Sequence, residues 1–159
     1  MLQSFRSRLN LIVGLGVFAL STGMLGVPAP PTEPWTDAQL ISVEDLYKQL
    51  KGPRSAKPLI VCVGFRALYD EGHVPTAVFY GAASKPDGLQ ELKRQVQGLP
   101  RNKEIILYCG CCPWDQCPNI RPAFTALKEM GFKRIRLLHL PASFAIDWAG
   151  KGYPYERGR

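Results

Sequence analysis

The sequence predicts an α/β fold built on a parallel sheet, from three observations. Short apolar runs at Leu59 to Val63, Ala77 to Tyr80, Ile105 to Tyr108 and Ile135 to Leu140 have the length of buried strands. Segments with helix start and stop signals stand between them, and strands that alternate with helices pair in parallel. The length, 159 residues, is enough for one such domain once the N-terminus is set aside.

The elements follow in order along the chain. Ser42 opens a helix as an S-x-x-D cap with Asp45, and Leu46 and Leu50 share one face before Gly52 and Pro53 end it. The strand Leu59 to Val63 holds Cys62. Phe65 to Glu71 makes a single helical turn, and Gly72-His73-Val74-Pro75 a tight turn. After the strand Ala77 to Tyr80, Asp87 is placed to cap a helix carrying Leu89, Leu92 and Val96, and Gly98 to Asn102 breaks the chain again. The strand Ile105 to Tyr108 ends in Cys109. A loop with Cys111, Cys112 and Cys117 leads to a helix capped by Asn119, with Pro122 in its first turn and Gly131 as its stop. Phe144 and Trp148, four apart, share a face of a last helix, and Gly152-Tyr153-Pro154 closes the domain.

Composition narrows the function classes. The net charge of +7 includes Arg6 and Arg8 of the N-terminal segment, and no Lys/Arg run carries interleaved aromatics, so no nucleic-acid partner is expected. A mild basic bias suits an anionic substrate. Residues 1–26 read as a signal peptide or N-terminal anchor: a basic start, an apolar run from Leu11 to Leu20, and small residues at Ala19 and Ser21. Residues 27–36, with Pro28, Pro30, Pro31 and Pro34, read as a stiff linker, and 37–159 as the folded domain. The expected location is exported, either periplasmic or anchored to the inner membrane through that N-terminal segment. Disulfides become available in such a compartment, and five cysteines leave at least one thiol unpaired within the monomer.

In open parallel sheets, sites lie beyond the carboxyl ends of the strands. Cys62 and Cys109 both stand at strand ends, so neighbouring strands would gather all five cysteines at one rim. The helix N-terminus and loop amides after Cys109 favour negative charge, which lowers a thiol's pKa and makes it nucleophilic.

Four segments resemble the single-domain rhodanese-like (sulfurtransferase) family. LIVCVGFRALYDEGHVPTAV, Leu59 to Val78, is similar to that family's early strand, short helix and G-H-[IV]-P-x-A turn. IILYC, Ile105 to Cys109, is similar to the strand that ends in the catalytic cysteine. ALKEMGF, Ala126 to Phe132, resembles the helix end beyond the active loop, and DWAGKGYPYERG, Asp147 to Gly158, the closing W-x-x-x-G-Y-P segment. The resemblance implies a central parallel sheet flanked by helices. Two departures bear on function. Where the family's early strand ends in D-V-R, this chain has Cys62, Val63 and Gly64, and its loop after Cys109 is about five residues longer, with three extra thiols.

The resemblance implies sulfur transfer of the thiosulfate sulfurtransferase type, with Cys109 as the nucleophile that carries sulfane sulfur as a persulfide. Cys111 and Cys112 join it as catalytic candidates. Arg121 is the cation available to hold a donor oxyanion, and Gly110 and Trp114 line the substrate side. Cys62 and Cys117 are resolving or disulfide candidates. The partner is then a small sulfur-containing anion or a thiol protein, with no cofactor; a C-x-x-C-H haem site is absent. The C-x-x-C from Cys109 to Cys112 keeps thiol–disulfide exchange open as an alternative. The same thiols, Cys109, Cys112 and Cys117 with Cys62 or Cys111, could also ligate a soft metal. His73 reads as a hydrogen-bonded turn residue, Trp148 as core, Asp115 as a loop-setting carboxylate, and Arg66 as surface.

Overall fold

Five parallel strands form one sheet, in a computed structural model that describes residues 33–53 and 57–158. The leader expected over 1–26, and the linker up to residue 32, lie outside the described residues. Among the described residues no helix is long and apolar enough to cross a membrane.

The elements run β1 (Leu40–Ile41), α1 (Val43–Leu50), β2 (Leu59–Cys62), α2 (Arg66–Glu71), β3 (Val78–Phe79), α3 (Pro86–Val96), β4 (Glu104–Tyr108), α4 (Ile120–Glu129), β5 (Arg134–Leu138) and α5 (Phe144–Asp147). The sheet order is β1-β5-β4-β2-β3. β4 lies at its centre, with Ile105 opposite Leu59 on one side and Ile135 on the other. All the strand ends that share the cysteine rim therefore point the same way, as parallel pairing requires.

The period-2 alternation of a strand separates the core into two layers. Ile105 and Leu107 of β4 face α3 and α4, where they meet Leu92, Val96, Phe124 and Leu127. Ile106 and Tyr108 face the other side, where Val43, Leu46, Tyr69 and Trp148 cover them. Both layers are closed to solvent, with Leu107, Leu127, Leu46 and Trp148 fully buried.

Sequence periodicity placed the long elements well and the short ones less so. β1 is two residues long and carries no periodic signal, so it escapes a pattern reading; it forms because Leu40 and Ile41 pair with Leu137 and Leu138. Asp87 does not cap α3. The N-cap is Lys85, and Pro86 takes the first helical position, where its missing N–H is no loss. Asn119 stands at the N-cap of α4 but makes no capping bond there, because its side chain is used elsewhere. The last helix is one turn, Phe144–Asp147, capped by Ser143, whose hydroxyl accepts from the Ile146 amide at 3.2 Å. Ser42 caps α1 as expected, accepting from Asp45 at 3.0 Å.

His73 is a buried turn residue. Its Nδ1 lies 2.8 Å from the Tyr69 carbonyl, and its ring stacks on Tyr69. Trp148 is core, and its indole N–H donates to the Pro154 carbonyl at 2.8 Å. This bond ties the closing G-Y-P segment to the sheet. Trp148→Ala should lower the unfolding free energy by about 3–5 kcal/mol through cavity formation. Trp148→Phe should lower it by about 0.5–1.5 kcal/mol, through the lost indole N–H bond to the Pro154 carbonyl. Urea unfolding of both variants measures this, and a Trp148→Ala protein within ~1 kcal/mol of the parent would contradict it.

Candidate functional site

The site begins where β4 ends. Alternation sends Tyr108 to the α1/α2 side and Cys109 to the α4 side, where its neighbours are Cys117, Ile120 and Phe124. Cys62 sits in register with Tyr108 on the neighbouring strand and faces the opposite layer. The two strand-end cysteines thus share a rim but point to different faces of the sheet.

The backbone there has room only for glycine at two positions. A Cβ on Gly64 would sit 2.8 Å from the Cys109 carbonyl oxygen and 3.2 Å from its Sγ. Gly110 has φ +69°, and a Cβ there would meet Phe144 Cβ at 2.6 Å. Gly64, which replaces an arginine of the D-V-R pattern, lets β2 approach the thiol closely. Gly110 turns the chain so that Cys111 comes back over Cys109. The loop is then fastened to the C-terminal segment: the Phe144 amide donates to Gly110 O at 3.0 Å, and the Trp114 amide to Pro141 O at 3.1 Å. Asp147 holds that segment in turn, accepting from the amides of Ala142 and Ser143.

The result is a cluster of four thiols. Cys109 Sγ lies 3.0 Å from Cys111 Sγ, and Cys111 Sγ 3.1 Å from Cys112 Sγ. The sulfurs of Cys109, Cys111 and Cys117 all lie within 4.8 Å of one another. Cys109 and Cys117 are buried, whereas Cys111 and Cys112 are half-exposed and form the open side. All five cysteines are free thiols in this structure. A small cavity beside the cluster is lined by Trp114, Ile120, Leu138 and Leu140. Trp114 covers this side, packed edge-on against Trp35 and His139.

Asn119, fully buried, is the residue that pattern reading placed as a cap and the fold uses at the site. Its Oδ1 accepts from the Ser84 amide at 2.9 Å, which fixes the orientation of the amide group. Its Nδ2 then donates to Cys109 Sγ at 3.3 Å and reaches Cys111 Sγ at 3.8 Å. An asparagine ten residues after a strand-end cysteine was the available signal, but a capping role explained it equally well.

The protons of this cluster are unevenly held. Cys117 is pulled down to about 6, first by the Cys109 thiol that donates to it, then by the amides of Asn119 and Ile120 at the start of α4. Cys109 is pushed up strongly, because its proton is held between sulfurs, above all by Cys117, and because it is buried. Cys112 is raised to about 12, chiefly by burial. Cys62 is raised to about 11, again by burial, although the Gly64 amide and Tyr108 hydroxyl bond to it. The favoured thiolate therefore sits on Cys117, which the sequence offered as a resolving or disulfide thiol and as a possible soft-metal ligand, and Cys109 rests protonated.

Other expected site residues are placed as follows. Arg121 stands in the first turn of α4, paired with Glu33 at 3.0 Å and bonded to the Cys117 carbonyl at 3.2 Å. Trp35 packs against Trp114 and Phe124, so the end of the segment read as linker lies on the domain. Asp115 is exposed and makes no bond to a loop amide among the described residues. A larger cavity opens beside Gly110, lined by Leu68, Gly72, Phe144, Tyr155 and Arg157.

The proton distribution predicts a pH profile for the reduced, metal-free protein. A depressed thiol pKa stabilises the folded state above the unfolded value of about 8.5, and that contribution is lost as pH falls. For Cys117 the loss runs down to about 6. Raised pKa values act oppositely: the contribution of Cys62 is full below about 8.5 and is lost as pH rises toward about 11. Stability should therefore rise from pH 6 to about 8.5 and decline beyond it. Cys117→Ser should flatten the rise and keep the decline. Urea midpoints of parent and variant across this range test the assignment, and an unchanged rise in Cys117→Ser would refute it.

Comparison with known proteins bears on the fold. A family model described as a rhodanese-like domain matches residues 42–140. No curated protein matches the sequence. Among solved structures, the Alr3790 protein of Anabaena sp. is 21% identical with a TM-score of 0.56, covering 74% of this chain and 82% of its own. The BH2092 protein of Bacillus halodurans is 23% identical with a TM-score of 0.56, covering 74% and 75%. The single-domain sulfurtransferase RDL2 of Saccharomyces cerevisiae is 20% identical with a TM-score of 0.54, covering 73% and 95%.

Proposed function

The chain belongs to the rhodanese-like domain family, and we propose that its loop thiols transfer sulfane sulfur, carried as a persulfide on Cys109. One observation carries this reading: the 3.0 Å contact between Cys109 Sγ and Cys111 Sγ at the carboxyl end of the central strand. The solved neighbour described as a single-domain sulfurtransferase is in keeping with it.

Exposure sets the order of steps. Cys109 is 6% exposed, whereas Cys111 is open to a donor from solution. Cys111 gives its proton to the nearby Cys117 thiolate and attacks the outer sulfur of a thiosulfate-type anion. The donor's S–S bond breaks, and sulfite leaves with the bonding pair. Cys109, whose S–H donates to Cys111 Sγ, gives its proton to that sulfur as it attacks the outer sulfur of the Cys111 persulfide. The outer sulfur moves to Cys109, and Cys111 is restored as a thiol. An acceptor thiolate then removes the sulfur from Cys109.

The Cys109 persulfide carries a negative charge in an apolar pocket. The Asn119 amide and the Cys111 backbone N–H, which already bonds to Cys109 Sγ, are fixed donors for it. Arg121 offers a guanidinium to the donor's oxygens only by loosening its pair with Glu33. The N-terminal segment would carry this chemistry outside the cytoplasm, either in the periplasm or tethered to the inner membrane, where sulfur anions or thiol proteins are its partners.

Intact mass of the reduced chain, desalted after incubation with thiosulfate, tests the proposal. The parent should gain the mass of one sulfur atom and lose it on mild reduction. Peptide mapping should place that sulfur on Cys109 in the parent and on Cys111 in Cys109→Ala, and Cys111→Ser should slow loading by about tenfold or more, an order of magnitude typical for loss of a positioned nucleophile or proton-transfer partner. Sulfur mapped to a thiol other than Cys109 in the parent would move the carrier to that thiol.

A further inference from the structure

We propose that Cys109, Cys111 and Cys117 form a three-thiolate site for copper(I). The site uses thiols of the proposed sulfur relay, but the inference rests on their geometry and needs no sulfur donor.

The sulfurs are close to the spacing such an ion requires. A metal–sulfur bond of about 2.3 Å in a trigonal plane puts the three sulfurs about 4 Å apart. Here Cys109 Sγ and Cys111 Sγ are 3.0 Å apart and all three sulfurs lie within 4.8 Å of one another, so the required edge falls between these two distances. Sub-ångström side-chain rotations would centre an ion among them. The three ligands come from two fixed points and one hinge. Cys109 follows the last residue of the central strand, Cys117 stands three residues before the start of α4, and Cys111 follows the Gly110 turn.

The chemistry of the donors selects the ion. The cluster contains sulfur alone, with no imidazole or carboxylate among its ligand atoms, which favours a soft, thiophilic cation. Zinc in a closed site takes four ligands. The fourth thiol, Cys112, touches Cys111 but does not belong to the mutually close set. The remaining side is lined by Trp114, Ile120, Leu138, Leu140 and Cys112, which supply no oxygen and leave little room for a water ligand, and the Cys112 sulfur stays outside the mutually close set. Three soft ligands and a fourth side without an oxygen donor suit a monovalent d10 ion that accepts trigonal coordination.

A ligand shell also needs support from behind. Asn119 supplies it, with Nδ2 directed at two of the three sulfurs and Oδ1 anchored on the Ser84 amide. A copper(I) tris-thiolate carries two negative charges. The Asn119 N–H, the first amides of the ten-residue helix α4 and the Arg121 guanidinium on the Cys117 carbonyl all face that charge favourably. Binding exchanges thiol protons for the metal, and no electron changes hands. The half-exposed Cys111 and Cys112 give the ion a way in.

The test is an anaerobic titration of the reduced, chelator-treated full chain with copper(I) against bicinchoninate. One copper(I) per chain should be withdrawn from the chelator, and copper K-edge absorption should count three sulfur ligands. Cys117→Ser and Cys111→Ser should each weaken binding by about a hundredfold or more, and Asn119→Ala by about tenfold to a hundredfold, the range for loss of a partner that orients ligands. Cys62→Ser and Cys112→Ser should bind as the parent does. Circular dichroism verifies that each variant folds, and the sulfur count on the parent is independent of them all. Two or four sulfurs, preferential retention of zinc(II) from an equal mixture, no withdrawal from the chelator, or an equal loss in Cys112→Ser would overturn the three-thiolate site. None of these outcomes depends on persulfide formation, so each reading can fail alone.

Discussion

One buried amide holds the rim of this sheet together. Asn119 accepts a bond from Ser84 in the segment after β3 and donates to Cys109 at the end of β4, while its own backbone begins α4. Three elements distant in sequence therefore meet at one side chain with no exposed surface. A buried primary amide whose oxygen is satisfied must find acceptors for its N–H groups. Here those acceptors are sulfurs, weak partners in a neutral thiol and better ones once charge develops. The same bond that closes the core thus places a donor where a thiolate, a persulfide or a metal thiolate would carry its charge.

The thiols themselves are held in a setting that discourages more than one negative charge. Cys109 and Cys117 sit among Ile120, Phe124 and Trp114, and burial penalises a bare thiolate there. The start of α4 offsets that penalty for Cys117, whose sulfur meets two backbone amides. The cluster so stores one favoured charge and several protons within bonding distance of one another. Proton movement between neighbouring sulfurs, rather than exchange with water, then accompanies any change in which sulfur is charged. Trp35 and Trp114 close the apolar side, and the pair of Arg121 with Glu33 pins Trp35's segment beside it. The open side is left to Cys111 and Cys112.

The enlarged loop is stable because the C-terminal segment carries it. Bonds from Phe144 to Gly110 and from Trp114 to Pro141 replace the regular pairing that a long loop lacks. Asp147 and Trp148 fix that segment, the first through two amides and the second through the core and the Pro154 carbonyl. An extension that would otherwise be loose is held at both ends of its turn, which brings four sulfurs into contact without any disulfide.

How much of this was legible in the chain depended on the range of the interaction. The apolar runs fixed β2, β4 and α1 because alternation and 3.6-residue periodicity are local signals, and the G-H-V-P and G-Y-P segments marked the family because turn chemistry is local too. The cysteines, at and after strand ends, marked the rim where the thiols gather. Two-residue β1 was invisible, since pairing with β5 alone makes it a strand. Asn119 read as a cap because its immediate neighbours fit a cap; only the fold reveals that Ser84, 35 residues earlier, takes its oxygen. Cys62 and Cys109 read as equivalent strand-end thiols, yet the register of β2 on β4 turns them to opposite faces. Sequence alone determined the sheet, its rim and its supply of thiols. Tertiary structure decided which sulfurs touch and which holds the charge, because sulfur contact and burial are set by packing between segments that have no local knowledge of one another.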